Sequence, residues 1–169
     1  MRTSKTSTQR VCTRYESPLG TMLLAASDRG LAGVWFVGQR HGPDSSGWRE
    51  DPQHPVLREA VAQLRAYFAG ERSRFELPLD LDTGTPFQQS VWAALLAIPP
   101  GGTTSYAALA RSVGKPQAAR AIGAAVGRNP VSIVVPCHRV LGTGGGLTGY
   151  AGGLERKTAL LRLEGVLAN

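Results

Sequence analysis

A chain of 169 residues, 42% hydrophobic and 18% charged, has the size and apolar content of one globular domain or two small lobes sharing a core, which excludes a large multidomain assembly and a wholly disordered chain. The apolar run Val91 to Ile98 is far shorter than the ~18 residues of a membrane span, and polar, basic Met1 to Arg10 lacks the apolar core of a secretory signal, so the expected address is the cytoplasm. The net charge of +7 sits in one half: residues 1 to 82 carry eleven bases against ten acids, residues 83 to 169 eight against two. Val11 to Tyr15, Gly20 to Ala26 and Gly30 to Phe36 are rich in Val, Leu, Tyr and Phe and separated by turn residues, which predicts a small antiparallel sheet. Gly38 to Pro55 turns to Gly, Pro, Ser, His and charge and is expected to be a surface loop. Pro55 to Phe68 places Leu57, Ala60, Val61, Leu64 and Tyr67 at helical spacing, and Leu77 to Asp82 is expected to add an edge strand. No part of this first lobe, residues 1 to 82, has the spacing of a catalytic site.

The second lobe, residues 83 to 169, opens on Thr85-Pro86-Phe87-Gln88, a cap, a first-turn proline and a residue that closes a capping box, so a helix is expected to about Ile98. Ser105 is placed to cap a helix from Tyr106 to Val113; Gly114 turns the chain, and a third helix is expected from Pro116 to Gly127. Helix, glycine turn, helix is the helix-turn-helix pattern, although an ordinary αα-hairpin has the same periodicity. The third helix carries one long side chain, Arg120, among alanines and glycines, where a helix that reads base edges displays several Arg, Asn or Gln. No acid occurs from Thr83 to Leu154. An Arg-rich genome explains sixteen Arg to three Lys but not that loss of acids, and a polyanion such as nucleic acid does. The fold class expected is therefore α+β, a sheet lobe with one helix followed by a mainly helical lobe.

Two cysteines, Cys12 and Cys137, are too few for a disulfide framework or a four-thiolate zinc site. Val131 to Val135 reads as a buried strand that ends at Pro136-Cys137-His138-Arg139. A thiol of ordinary pKa, about 8.5, needs a base or cation to become a nucleophile at neutral pH, and His138 and Arg139 are of the right types. Neighbours on a strand face opposite ways, so only a turn after Pro136 brings imidazole toward sulfur; otherwise Cys137 is one more small buried residue. Leu141 to Gly153 holds seven glycines in thirteen residues and is expected to be a mobile wall over a pocket, since neither a P-loop nor a dinucleotide fingerprint is present. Leu154 to Leu163 predicts a last helix, with Glu164 one of only two acids in this half.

Pro136-Cys137-His138-Arg139-Val140, preceded by Arg128-Asn129-Pro130 and followed by Gly149-Tyr150-Ala151-Gly152-Gly153, resembles the O6-alkylguanine-DNA alkyltransferases. The likeness runs from about Thr85 to Gly165; residues 1 to 82 share only size and strand content. It implies reversal of DNA damage by moving the alkyl group of O6-alkylguanine, with O4-alkylthymine left open, to Cys137 in a single turnover. By position, it makes His138 a water-linked base, Glu164 the carboxylate holding the imidazole, and Asn129 the brace of the turn around the cysteine. Tyr106 would help rotate the nucleotide, Arg120 would take its place in the duplex, and Tyr150, with Ala151 and Gly152, would line the base pocket beside Arg128. The Val140 carbonyl would face the exocyclic amine. The partner implied is double-stranded DNA bound through the minor groove without sequence specificity, by a monomer, with cooperative assembly left open; no cofactor and no metal are expected. Ala151 and Ser132 depart from the serine and proline that many members carry there. A helix-turn-helix regulator or lesion sensor with an inert Cys137 is the alternative.

Overall fold

The computed structural model describes residues 10–168. Strands β1 (Val11–Ser17), β2 (Gly20–Ser27) and β3 (Gly30–Phe36) form an antiparallel meander, registered by a two-residue turn between Ser17 and Gly20 and another between Ser27 and Gly30. The region expected to be only loop contributes a fourth strand, β4 (Arg49–Glu50), parallel to β1, so the sheet order is β3-β2-β1-β4. Stacking of Trp48 on Trp35, with ring centroids 5.8 Å apart, holds that stretch against the sheet. Helix α1 (Pro55–Phe68) buries Leu57, Ala60, Leu64 and Tyr67 in the same core as Met22, Leu24 and Val34 of the sheet.

The outer edge of β3 is covered by two distant segments. Leu31 donates to the Pro78 carbonyl at 2.8 Å and accepts from Asp80 N at 2.9 Å, so the expected edge strand at 77 to 82 is one isolated bridge. Further along, Val34 N donates to the Pro130 carbonyl at 2.9 Å and Ser132 N to the Val34 carbonyl at 3.0 Å. These bonds pair an edge that otherwise exposes a row of amides and carbonyls. They also fasten the stretch that leads to Cys137 onto the first sheet.

Helix α2 (Pro86–Leu96) starts with the reciprocal capping box of Thr85 and Gln88 and stops two residues before Ile98, ahead of Pro99-Pro100. A short strand β5 (Thr104–Ser105) leads into α3 (Tyr106–Ser112), where Ser105 accepts from Ala108 N at 3.0 Å. The next helix, α4 (Ala119–Gly127), begins three residues after Pro116. Residues 115 to 118 form a turn closed from Ala118 N to the Lys115 carbonyl at 2.9 Å, with Pro116 at the second position that proline favours in such turns. Helices α3 and α4 pack on α2, whose Trp92 donates to the Ala125 carbonyl at 2.9 Å.

The buried strand expected at 131 to 135 is instead a tight reversal. Val134 N reaches back to the Ser132 carbonyl and Val135 N to the Val131 carbonyl, each at 2.9 Å, with Ile133 at φ 73°. A β-branched residue there costs about 1–3 kcal/mol, and only firm packing on both sides sustains it. Ile133 has that packing, being buried in the core shared with α2. A 3-10 turn at Cys137–Arg139 follows, then β6 (Val140–Leu141), parallel to β5, the glycine-rich loop, and α5 (Leu154–Leu163), which Glu164 terminates. The α+β fold class expected from the sequence is the one observed. None of the helices among the described residues is long and apolar enough to cross a membrane.

Candidate active site

The turn after Pro136 decides where Cys137 and His138 point. Cys137 N donates to the Val135 carbonyl at 2.8 Å and Arg139 N to the Pro136 carbonyl at 3.0 Å, so the two side chains leave a helical turn instead of opposite faces of a strand. Asn129 braces this bend from within: its Nδ2 donates to the Val135 carbonyl at 2.8 Å and its Oδ1 accepts from Val131 N at 3.0 Å. Both bonds are buried, and the amide also faces the sulfur.

Cys137 is 5% exposed and faces a cavity of about 280 Å³. Burial pushes its thiol up to about 11, against the smaller opposing effects of the Asn129 amide and the Lys157 ammonium. At pH 7 only about one molecule in 10^4 then carries thiolate, so the sulfur reacts only with help in removing its proton. His138 is fully buried, and burial lowers its basicity in spite of the Glu164 carboxylate. The imidazole is therefore neutral at pH 7. Its Nε2 lies 2.6 Å from Glu164 Oε2, which fixes Nε2 as the protonated nitrogen and leaves the Nδ1 lone pair without a partner among the described residues. Burial raises Glu164, but hydrogen bonds from His138, Arg139 and Tyr67 outweigh it and hold the carboxyl at about 2. Arg139 supplies the opposite charge, with Nε at 2.7 Å and Nη2 at 3.2 Å from the carboxylate.

Helix α4 gives one wall of the cavity through Gly123 and Ala124, with Arg128 at its end; Tyr106, Tyr150 and Ala151 give the other. Small residues on α4 leave the space open. The Tyr106 hydroxyl donates to the carbonyls of Thr148 and Gly149, each at 3.3 Å, and closes the glycine-rich loop over the site. The Tyr150 hydroxyl is buried near Ser132, without a well-formed hydrogen bond among the described residues. Gly152 does not line the cavity; it lies behind Tyr150, where a Cβ would meet the ring at 2.8 Å and Phe36 at 3.1 Å. Arg120 also stands apart from the cavity lining, exposed one turn before Gly123 on the same helix.

The Val140 carbonyl is not free either. It accepts from the Nζ of Lys157 at 2.6 Å, and the same ammonium donates to Thr148 at 2.8 Å. Lys157 was not anticipated, yet it falls at i, i+3 and i+4 with Leu160 and Leu161 on the buried face of α5, a pattern that marked it as internal. The first lobe, where no spacing marks a catalytic site, reaches it twice. Arg40 and His41 line the cavity, with Arg40 N donating to the Ala151 carbonyl at 3.1 Å, and Tyr67 donates to Glu164 Oε2 at 2.5 Å. No sequence periodicity could announce a partner 97 residues away.

Chemically, the arrangement offers a buried thiol, a neutral imidazole with one free lone pair, and a carboxylate that fixes the ring, beside a cavity with small walls. Residues 86–166 match the family described as 6-O-methylguanine DNA methyltransferase, DNA binding domain, and residues 11–81 match its ribonuclease-like domain. The methylated-DNA--protein-cysteine methyltransferase of Mycobacterium leprae is 51% identical over 90% of this chain and 91% of its own length; the one from Methanosarcina acetivorans is 49% identical over 89% and 96%. The crystal structure of Mycobacterium tuberculosis OGT in complex with DNA superposes with a TM-score of 0.84 at 48% identity, covering 91% of this chain and 92% of that one. The enzyme of the hyperthermophilic archaeon Pyrococcus kodakaraensis gives 0.64 at 25% identity, covering 93% and 99%. With both halves matched in order and half the residues shared with these relatives, this chain belongs to the 6-O-methylguanine DNA methyltransferase family.

Proposed function

We propose that the protein repairs DNA by direct reversal, moving the alkyl group of O6-alkylguanine to the Sγ of Cys137. The C–O bond at guanine O6 breaks as the C–S bond forms, and the guanine anion that leaves takes up one proton, balancing the one the thiol gives up, so that guanine is restored. The observation that carries this reading is the buried Cys137–His138–Glu164 constellation beside the cavity. The thiol proton leaves toward His138 Nδ1 through water, Glu164 stabilises the imidazolium that results, and the Tyr106 hydroxyl turns from the Thr148 and Gly149 carbonyls to donate to the base. A thioether has no hydrolysable bond, so each molecule acts once.

A base inside a duplex cannot meet a buried sulfur, so the nucleotide must be rotated out at a cost of a few kcal/mol, lowest for a damaged, weakly paired base. Exposed Arg120 on α4 suits the gap left in the stack, and the small residues around it let the helix approach the minor groove without reading sequence. The acid-free surface supplies phosphate binding of the same sequence-independent kind. The division of labour is an N-terminal lobe to residue 82 that supports a DNA-binding, alkyl-accepting lobe from residue 83, acting as a cytoplasmic monomer.

The test is mass spectrometry after incubation with duplex DNA carrying O6-methylguanine. The expected result is a gain of about 14 Da on Cys137, lost in Cys137→Ser while DNA binding persists. The same mass on Cys12, or tight binding with no mass change, overturns the proposal.

A further inference from the structure

The first lobe enters the relay through one atom. Helix α1 carries Tyr67 on its buried face with Leu57, Ala60 and Leu64, and the ring is fixed edge-on to Phe68 and tilted against Phe75, with both centroid distances 5.4 Å. This packing aims the hydroxyl from the first lobe toward the second, where it meets Glu164 Oε2 at 2.5 Å. The oxygen is the one that holds His138 Nε2 at 2.6 Å and takes a longer bond from Arg139 Nη2 at 3.2 Å; the Arg139 Nε takes the other oxygen. An ionised carboxylate only accepts, so Tyr67 keeps its hydroxyl proton and donates it in a hydrogen bond to Oε2. A bridge that served only to join the lobes could use either oxygen.

We propose that Tyr67 is a positioning residue for alkyl transfer: its hydroxyl locks the Glu164 carboxylate in the orientation that fixes the His138 tautomer and takes a share of the charge on the oxygen facing the imidazole. The inference rests on the function proposed above. Two effects follow when the hydroxyl is removed. The terminal torsion of a glutamate is broad, so with only Arg139 and His138 left to hold it the carboxylate turns more freely about the Arg139 Nε bond, and the imidazole with it. Oε2 also keeps more negative charge opposite Nε2, which stabilises the imidazolium and shifts His138 protonation to higher pH.

Tyr67→Phe keeps the ring and its packing. Its single-turnover transfer rate at pH 7.5 is expected to fall by roughly tenfold, with the acid limb of the pH profile displaced upward by about half a pH unit. In a Glu164→Gln background the same substitution should change neither the rate nor the limb, because its route to sulfur is gone. A uniform loss without displacement, or one that adds in full to that of Glu164→Gln, assigns Tyr67 to the fold alone and overturns the proposal. The unmodified protein gives a reading that does not depend on a variant's folding. The 13Cζ resonance of Tyr67 should titrate with the midpoint of the acid limb, and a resonance that is flat through that midpoint also overturns it. A wild-type protein that gains no mass on Cys137 refutes the proposed function itself; normal transfer with an unaltered Tyr67→Phe profile refutes only this inference.

Discussion

Replacing Lys157 by methionine should cost activity without costing stability at neutral pH. The side chain is 0% exposed, and burial lowers its pKa from 10.5 to about 8, a difference only partly relieved by the sulfur of Cys137. That difference corresponds to about 3 kcal/mol for carrying the charge in the folded state. Below about pH 8 the native protein bears this cost in full. Between about 8 and 10.5 the native state gives up the proton before the unfolded chain does, so the unfolded chain binds more protons and stability rises with pH. Methionine has similar length and removes the charge, but it leaves the buried Val140 carbonyl without its 2.6 Å donor, at a cost of about 1–3 kcal/mol. The net at pH 7 runs from no change to a gain of about 2 kcal/mol, or up to about 8 °C in Tm for a chain of this size. Near pH 10.5 the wild type has shed its penalty while the variant keeps the orphaned carbonyl, so the order of the two melting temperatures reverses. Alkyl transfer at pH 7.5 should fall at least tenfold, because the ammonium facing the thiol lowers the cost of thiolate and ties the glycine-rich loop to β6. Thermal melts from pH 7 to 10.5, paired with single-turnover transfer, make the test. A variant melting well below wild type at pH 7 would show that the ammonium is a net stabiliser and would refute the reasoning.

His138→Ala and Glu164→Gln should each slow transfer, and the double variant should lose little more than either alone, since the carboxylate acts through the ring. With the thiol at about 11, each unit of pH multiplies the thiolate about tenfold, so rates measured from pH 6 to 9 should recover toward the alkaline end; additive losses without recovery would remove the relay. Arg120→Ala should impair repair of duplex DNA far more than reaction with a free O6-alkylguanine base, and equal losses on both would assign Arg120 to the pocket or the fold. Gly152→Ala should displace the Tyr150 ring, through the 2.8 Å approach, and destabilise the protein by about 1–3 kcal/mol, which a denaturant titration will register.

Local chemistry was legible in the sequence. The Thr85–Gln88 capping box, the Ser105 cap and the apolar stripe of α1 each depend on residues within a few positions of one another, and they form as written. Pro116 misled because proline suits both a helix start and a turn, and the residues after it decided for the turn. Val131 to Val135 misled because an apolar β-branched run reads as a strand, whereas Ile133 reverses the chain in a conformation its own propensity opposes. Cys137, His138 and Glu164 stood out by motif and by the scarcity of acids around them. Tyr67 and Arg40 could not, since nothing local distinguishes a core tyrosine from one whose hydroxyl leaves the core. A buried lysine is legible only once the face of its helix is known.

The seam along β3 gives the linker after Asp82 a practical meaning. Pro130 and Ser132 borrow two hydrogen bonds from Val34, and those bonds anchor the strained reversal that sets the direction of the Cys137 turn. Cut between residues 82 and 83, the second piece would keep its motif, its positive charge and its helix-turn-helix but lose the template that shapes its nucleophile. The first piece would keep its four-stranded sheet and α1, with the β3 edge at Val34 left unpaired. The expected outcome is a pair of complementing fragments, each inert alone, whose mixing restores both the edge and the reaction. Sulfur alkylation then becomes a permanent record that the two pieces met.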